Sequence, residues 1–202
     1  MANVNRPFGL RPVKTYSGGS WNDQGNLYHI PSTDTSAYYI GDVVKSSAAS
    51  DANGVPDVAK ALGTDILRGV VVGILASVPY GISLQGATLD LANTFIPATK
   101  TRDYYVLVAD DPHTIFEVQG DATATNQVAA SVNKNCSLTI ATPTAPGQWS
   151  ATVVSSSTIA TTNTLNIRLM GLVQKSDNAF GAYARWLCKI NLHEFGNGTA
   201  GI

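Results

Sequence analysis

The chain is short of charge. Only 13% of its 202 residues are Asp, Glu, Lys or Arg, roughly half the usual share of a globular domain. The 13 basic and 14 acidic side chains nearly cancel, so no overall field steers the molecule to nucleic acid or to an anionic membrane. Cysteine is also scarce: Cys136 and Cys188 are the only two, too few for a disulfide scaffold and read as small buried thiols, with a pairing between neighbouring strands left open. Aromatic residues make up 8% and are not interleaved with basic ones, as single-stranded nucleic-acid binding requires. The most apolar run, Ile66 to Val78, is too short for a membrane helix and is broken by Arg68, Gly69 and Gly73. Pro7 and Pro12 stand where the apolar core of a targeting peptide would lie, so no signal peptide is expected.

What fills the gap is Ser, Thr, Asn, Ala and Gly. A surface so poor in charge suits a protein that keeps much of its outside against neighbours. It equally suits a secreted β-rich protein.

The chain is organised around DYYVLVADDPHTIFEVQ, Asp103 to Gln119. Tyr104 to Ala109 is rich in β-formers, Asp110-Asp111-Pro112 ends the run, and Thr114 to Val118 resumes it. The pattern predicts a central hairpin. A second hairpin is predicted at the C-terminal end, where Leu165, Ile167 and Leu169 alternate with polar residues and Trp186, Cys188, Ile190 and Leu192 share one face. Shorter strands are expected at Leu27–Ile30, at Ala37–Lys45 with an irregularity at Gly41-Asp42, at Ile66–Ala76, at Cys136–Ile140 and at Trp149–Val154. In the Ile66–Ala76 run, Gly69 and Gly73 read as bulges or close backbone approaches. Residues 46 to 63 read as a loop with at most a weak helical turn at Val58 to Leu62. Residues 79 to 100 read as long loops with short strands, with a helical turn possible at Leu89 to Asn93, and Pro143 to Gly147 as a turn. Many short strands, long polar loops and no long helix predict an all-β barrel or sandwich.

Residues 1 to 22 read as an extended N-terminal arm outside a single β domain of residues 23–202. Pro7 and Pro12 hold the backbone extended, Arg6, Arg11 and Lys14 make the arm basic, and Phe8, Leu10, Val13 and Tyr16 are apolar anchors. The candidate contact residues for another subunit are therefore Arg6, Phe8, Leu10, Arg11, Val13 and Tyr16.

Chemistry-bearing patterns are few. Asp110, Asp111 and His113 offer two carboxylates and an imidazole, but no spacing supplies a third or fourth metal ligand, so they are read as turn residues. His29 and His193 are read as polar ends or outer faces of strands. No phosphate loop is present, since Gly18-Gly19 has no following Lys-Ser/Thr. No catalytic residue, metal or cofactor is expected.

The stretch RPFGLRPVKTYSGG…GNLYHIPSTDTSAYYIGDVVK resembles the start of head decoration, or cement, proteins of tailed bacteriophages. Arg6, Pro7, Gly9, Arg11 and Pro12 match the opening, and Ser32, Thr33, Asp34, Thr35, Gly41 and Asp42 the second block. ARWLCKINLHEF resembles the closing strand of that group, and VADDPHTIFEVQ its centre more loosely. Residues 46 to 100 and 120 to 164 carry no match. The resemblance implies a β-barrel or jelly-roll-like homo-oligomer, a dimer or trimer, on the outer surface of a capsid assembled in the host cytoplasm. It further implies contact with the major capsid protein and no enzymatic role.

Two other readings are weighed beside it. One is a β-sandwich module of a tail fibre or baseplate that recognises a surface glycan, which would gather Trp21, Trp149 and tyrosines into one open groove. The other is an enzyme with His113 or His193 beside a buried carboxylate in a cleft.

Overall fold

A computed structural model describes residues 3–76, 88–144 and 149–196. The expected features of residues 79–87, and most of the Pro143–Gly147 turn, lie outside the described residues.

The fold is all-β, as the strand patterns predicted. Five strands pair in a closed ring: β2 (Asn26–Ile30), β5 (Pro56–Lys60), β4 (Val43–Ser50), β6 (Gly69–Ile74) and β8 (Tyr104–Ala109), with β8 returning to β2. A single parallel pair, His29 opposite Asp57, joins β2 to β5. Beside the ring lies an open five-stranded sheet in the order β1 (Arg11–Thr15), β9 (Thr114–Gln119), β14 (Arg185–Ile190), β13 (Ile167–Leu172) and β10 (Asn135–Cys136). Two short ribbons complete the count: β3 (Tyr38–Tyr39) with β7 (Phe95–Ile96), and β11 (Leu138–Thr139) with β12 (Val153–Val154). Among the described residues the only helical pieces are single 3-10 turns at Ala129–Ser131 and Ser156–Thr158.

The C-terminal hairpin is present. Strands β13 and β14 pair antiparallel, Ile167 opposite Ile190 and Leu172 opposite Trp186, with a register shift between Leu169 and Gly171. The central hairpin is not. Strand β8 pairs with β2 and β6 in the ring, and β9 pairs with β1 and β14 in the open sheet. The Asp110–His113 turn is a corner between two layers, with Thr114 N–H donating to Asp111 O at 3.0 Å. Strand β9 is buried at all six residues and β8 at four of six, so each needs neighbours on two sides that a two-stranded ribbon would not supply.

Three other expectations are corrected. Residues 46–63 are not a loop with a helical turn: β4 runs on to Ser50, and β5 occupies Pro56–Lys60. The outer part of β4 is exposed Ser and Ala, so no apolar alternation marks it. Leu89 to Asn93 is not a helical turn. Leu89 bridges Leu75, and Asp90 accepts hydrogen bonds from the N–H groups of Ala92 and Asn93. Third, residues 1–22 are not an arm outside the domain. Strand β1 is an edge of the open sheet, Arg11 opposite Glu117 and Thr15 opposite Thr114, and Leu10 is 1% exposed within the main core. An edge strand tolerates Pro12, which has no N–H to offer the ladder, and the register shifts between Pro12 and Lys14 as a bulge.

Two large apolar clusters hold the layers, beside a small one of Val55, Leu75 and Tyr105. The ring encloses Ile30, Val44, Val71, Val106 and Val108. The second cluster lies between ring and sheet and joins Leu10, Val43, Leu67 and Val70 to Phe116 and Trp186. Gly69 lies so close to Ala109 O and Asp110 Cα that a side chain would clash, and the β6–β8 register shifts between Val71 and Gly73. Both glycines thus behave as the sequence suggested. Gly9 and Gly41, both with positive φ (71° and 95°), cross in backbone contact, and Leu10 N–H donates to Gly41 O at 2.9 Å. Only glycine fits either side of that crossing.

Candidate functional site

The N-terminal segment is tied down along its length. Asn3 Nδ2 donates to the carbonyls of Ala179 and Ala182, each at 2.8 Å, and Arg6 N–H donates to Gln119 Oε1 at 2.8 Å. Arg11 lies over the Phe8 ring at 5.1 Å and donates through Nη2 to Glu117 Oε2 at 2.7 Å. Glu117 is 3% exposed, with Lys175 and Arg185 each 3.9 Å from its other oxygen. A buried carboxylate of this kind needs its cations, so Arg11 serves the fold of its own chain.

Of the six predicted contact residues, Leu10 is therefore core and cannot reach a partner. Arg11 is committed to Glu117, although its side chain is 47% exposed. Val13 is half-buried at the bulge, where its carbonyl accepts from Trp21 N–H at 3.3 Å. Arg6 is exposed, Phe8 half-buried, and Tyr16 65% exposed with the Lys189 ammonium 5.9 Å from its ring.

Beside this segment lies a cavity of about 440 Å³ between β1, the ring and the Trp149 loop. Pro12, Ile40, Val72, Leu89 and Leu107 make its apolar walls, Trp21 and Trp149 flank it, and Arg11 and Asp23 supply polar atoms. The glycan reading of the sequence gathered Trp21, Trp149 and tyrosines into one groove; both tryptophans line this cavity, and no tyrosine among the described residues does. The Trp149 loop is anchored through Ser150, whose N–H donates to Ile40 O at 3.0 Å and whose hydroxyl donates to Asp42 at 2.5 Å.

A second feature lies on the other flank of the ring. Arg68, from the apolar run before β6, donates through Nε to Tyr28 Oη at 2.7 Å and through Nη1 to Glu194 Oε2 at 3.1 Å. Its guanidinium stacks 3.9 Å from the Phe195 ring centre. Tyr28 in turn donates to Asp110 Oδ2 at 2.6 Å, and Asn26 donates to Asp110 Oδ1 at 2.8 Å. Burial, then the bond to Asp110, pushes the Tyr28 phenol up to about 12. Asp110 is thus buried in a fold-holding network. Exposed Asp111 caps the turn by accepting His113 N–H at 2.8 Å. Among the described residues no three acidic, His or Cys side chains form a group able to hold a metal ion.

Next to Arg68 the surface carries three large apolar side chains: Leu62, Ile66 and Phe195 are 63%, 57% and 58% exposed. Their segments are adjacent, since Leu67 N–H donates to Leu192 O and Glu194 N–H donates to Leu67 O, both at 2.9 Å. Ile66 lines an open concavity of about 700 Å³ together with Lys45, Ser46, Asp65 and His193. The signal in the sequence was an arginine inside an apolar run, which had been read only as a break in hydrophobicity.

The histidines correct the sequence reading, because neither His29 nor His193 lies on an outer face. His29 is 4% exposed, with Nδ1 2.6 Å from Asp57 Oδ1 and Nε2 3.7 Å from Asp103, too far for a hydrogen bond. His193 is 3% exposed, its Nδ1 accepts Phe195 N–H at 3.0 Å, and burial lowers its pKa. Neither ring hydrogen-bonds a serine, threonine or cysteine. Cys136 and Cys188 are free and fully buried, and burial raises both thiols so that they stay protonated.

No protein-family model, curated protein or solved structure matches this chain.

Proposed function

We propose that the chain is a structural protein that decorates and stabilises the head of a tailed bacteriophage, bridging subunits of the major capsid protein from the outside as a homo-oligomer. The observation that carries this reading is the exposed apolar group Leu62, Ile66 and Phe195 on two adjacent segments. Clustered exposed apolar side chains mark interaction surfaces. The low charge of the whole chain and the resemblance of its opening, second block and closing strand support the same reading. With it goes the finer reading of the fold, a β-barrel or jelly-roll-like sandwich, supported by the closed pairing of the five-strand ring. A bridging protein acts through area and complementarity, and stable assemblies bury roughly 1,200–5,000 Å² per interface.

The test is co-sedimentation with undecorated phage heads. The protein is expected to pellet with the heads as a multimer, and the double variant Ile66→Asp, Phe195→Asp to remain soluble but pellet far less. A strictly monomeric protein that stays in the supernatant overturns the reading.

A further inference from the structure

We propose that the cavity flanked by Trp21 and Trp149 binds a neutral saccharide ring. The inference is independent of head decoration. Its starting point is that Trp149 belongs to no apolar core cluster, while Trp21 packs one side against the main core and still lines the cavity. Among the described residues neither stacks on another aromatic ring, and neither indole N–H has a hydrogen-bond partner. Trp186 shows what a structural tryptophan does here: it is fully buried, packs on Phe180 at 5.7 Å and donates to Gln127 Oε1 at 3.3 Å. Trp149, by contrast, is 46% exposed.

Asp23 is the second unspent group. It takes a positive φ of 61°, a conformation that costs most side chains energy and that Asp tolerates. Its carboxylate makes no hydrogen bond or ion pair among the described residues, and it lines both the 440 Å³ cavity and a neighbouring one of about 490 Å³. Arg11 stands across from it with one nitrogen fixed on Glu117 and its other N–H groups free to donate.

These parts define the ligand. Apolar walls and two indoles ask for an apolar face, and the electron-rich ring faces favour polarised C–H groups. A carboxylate acceptor and guanidinium donors ask for hydroxyls on the ligand's edge. Arg11 and Asp23 supply one charge of each sign to the lining, so no net charge there draws in an anion. A pyranose ring has these properties together: C–H groups on its faces, hydroxyls around its rim and no charge. The cavity volume lies within the roughly 300–1,000 Å³ of small-molecule sites.

The experiment is NMR of the indole N–H signals of the intact protein, titrated with the methyl glycosides of glucose, galactose, mannose and N-acetylglucosamine. Methyl glucuronide and cyclohexylmethanol serve as charged and purely apolar comparisons. At least one neutral glycoside is expected to move the Trp21 and Trp149 signals with millimolar affinity and leave Trp186 unmoved. Trp149→Ala should abolish the Trp21 shift while the Trp186 signal stays in place. Asp23→Asn should weaken binding about tenfold, the worth of one hydrogen bond to a charged acceptor. No shift with any glycoside overturns the proposal. So does an equal response to cyclohexylmethanol, a stronger response to the glucuronide, or an unchanged affinity in Asp23→Asn. Head binding is scored separately on the same preparations, so either reading can fail while the other stands.

Discussion

Asp110 and Asp111 are neighbours with opposite duties, and replacing each in turn separates them. Asp110 accepts from Tyr28 and Asn26 in a nearly closed site, with Arg68 Nε 3.9 Å away. Asp110→Ala strands those donors, and its loss is expected to cost about 3 kcal/mol. Asp111 caps an exposed turn, and Asp111→Ala is expected to cost about 1 kcal/mol or less. Urea denaturation of both variants checks the contrast, and equal losses would contradict the network described. His193 gives a pH-dependent counterpart. Burial lowers its pKa from 6.5, against the opposing pull of Asp110, Glu194 and Asp111 and with the repulsion of Arg68. The unfolded chain then takes up the proton first as pH falls. Stability is fully present above about 6.5 and declines as pH drops through that value toward the folded pKa. Melting temperatures of the wild type should fall across this window, and His193→Gln should flatten the slope. The sequence showed that Asp110 and Asp111 make a turn, because Asp-Asp-Pro is turn chemistry. It did not show which one is buried, because that depends on Tyr28, Asn26 and Arg68, more than 40 residues away along the chain.

Strand β1 differs most from its sequence reading. Two prolines, a Gly pair and scattered apolar residues look like a tether, yet the segment is an edge strand whose Leu10 fills the space between ring and sheet. Deleting residues 1–20 is therefore expected to unfold or severely destabilise the protein, since a buried Leu alone is worth about 2–5 kcal/mol and the partners of Glu117 and Gln119 go with it. Circular dichroism and thermal melting of the truncated chain check this, and a truncated protein melting near the wild-type temperature would restore the tether. Local pattern was enough for β13 and β14, whose side chains alternate between core and half-exposed positions and so declare their two faces. It failed for β9, buried at every residue, and for β8, whose buried residues fall in adjacent pairs, so that neither shows the alternation that would reveal a partner. A tight turn between two such strands is compatible with a hairpin or a corner, and only the rest of the fold decides. The candidate groove was legible to the extent that Trp21 and Trp149 were named. Their neighbours Val72 and Leu107 sit on two ring strands and Leu89 on a separate loop, which no local reading connects.

The molecule is two β layers sharing one apolar seam, and its stability is not uniform across them. Strand β14 lies between β9 and β13, whereas β10 is a two-residue edge held by β13 and a bridge to Ala160. The two thiols fall on these unequal supports, Cys188 in β14 and Cys136 in β10. Each is sealed from solvent, so an alkylating reagent meets it only when the surrounding structure opens. The alkylation rates of the pair become a built-in record of how the molecule comes apart. Cys136 is expected to react by local fraying, faster and with little dependence on urea. Cys188 should react only through near-global opening, slowly in water and steeply faster with denaturant. Mass spectrometry of Cys136→Ser and Cys188→Ser, each read through its remaining thiol, measures the two openings separately. Identical rates and urea slopes would instead mean that edge and centre open as one cooperative unit, so that the molecule could not shed its margin before losing its core.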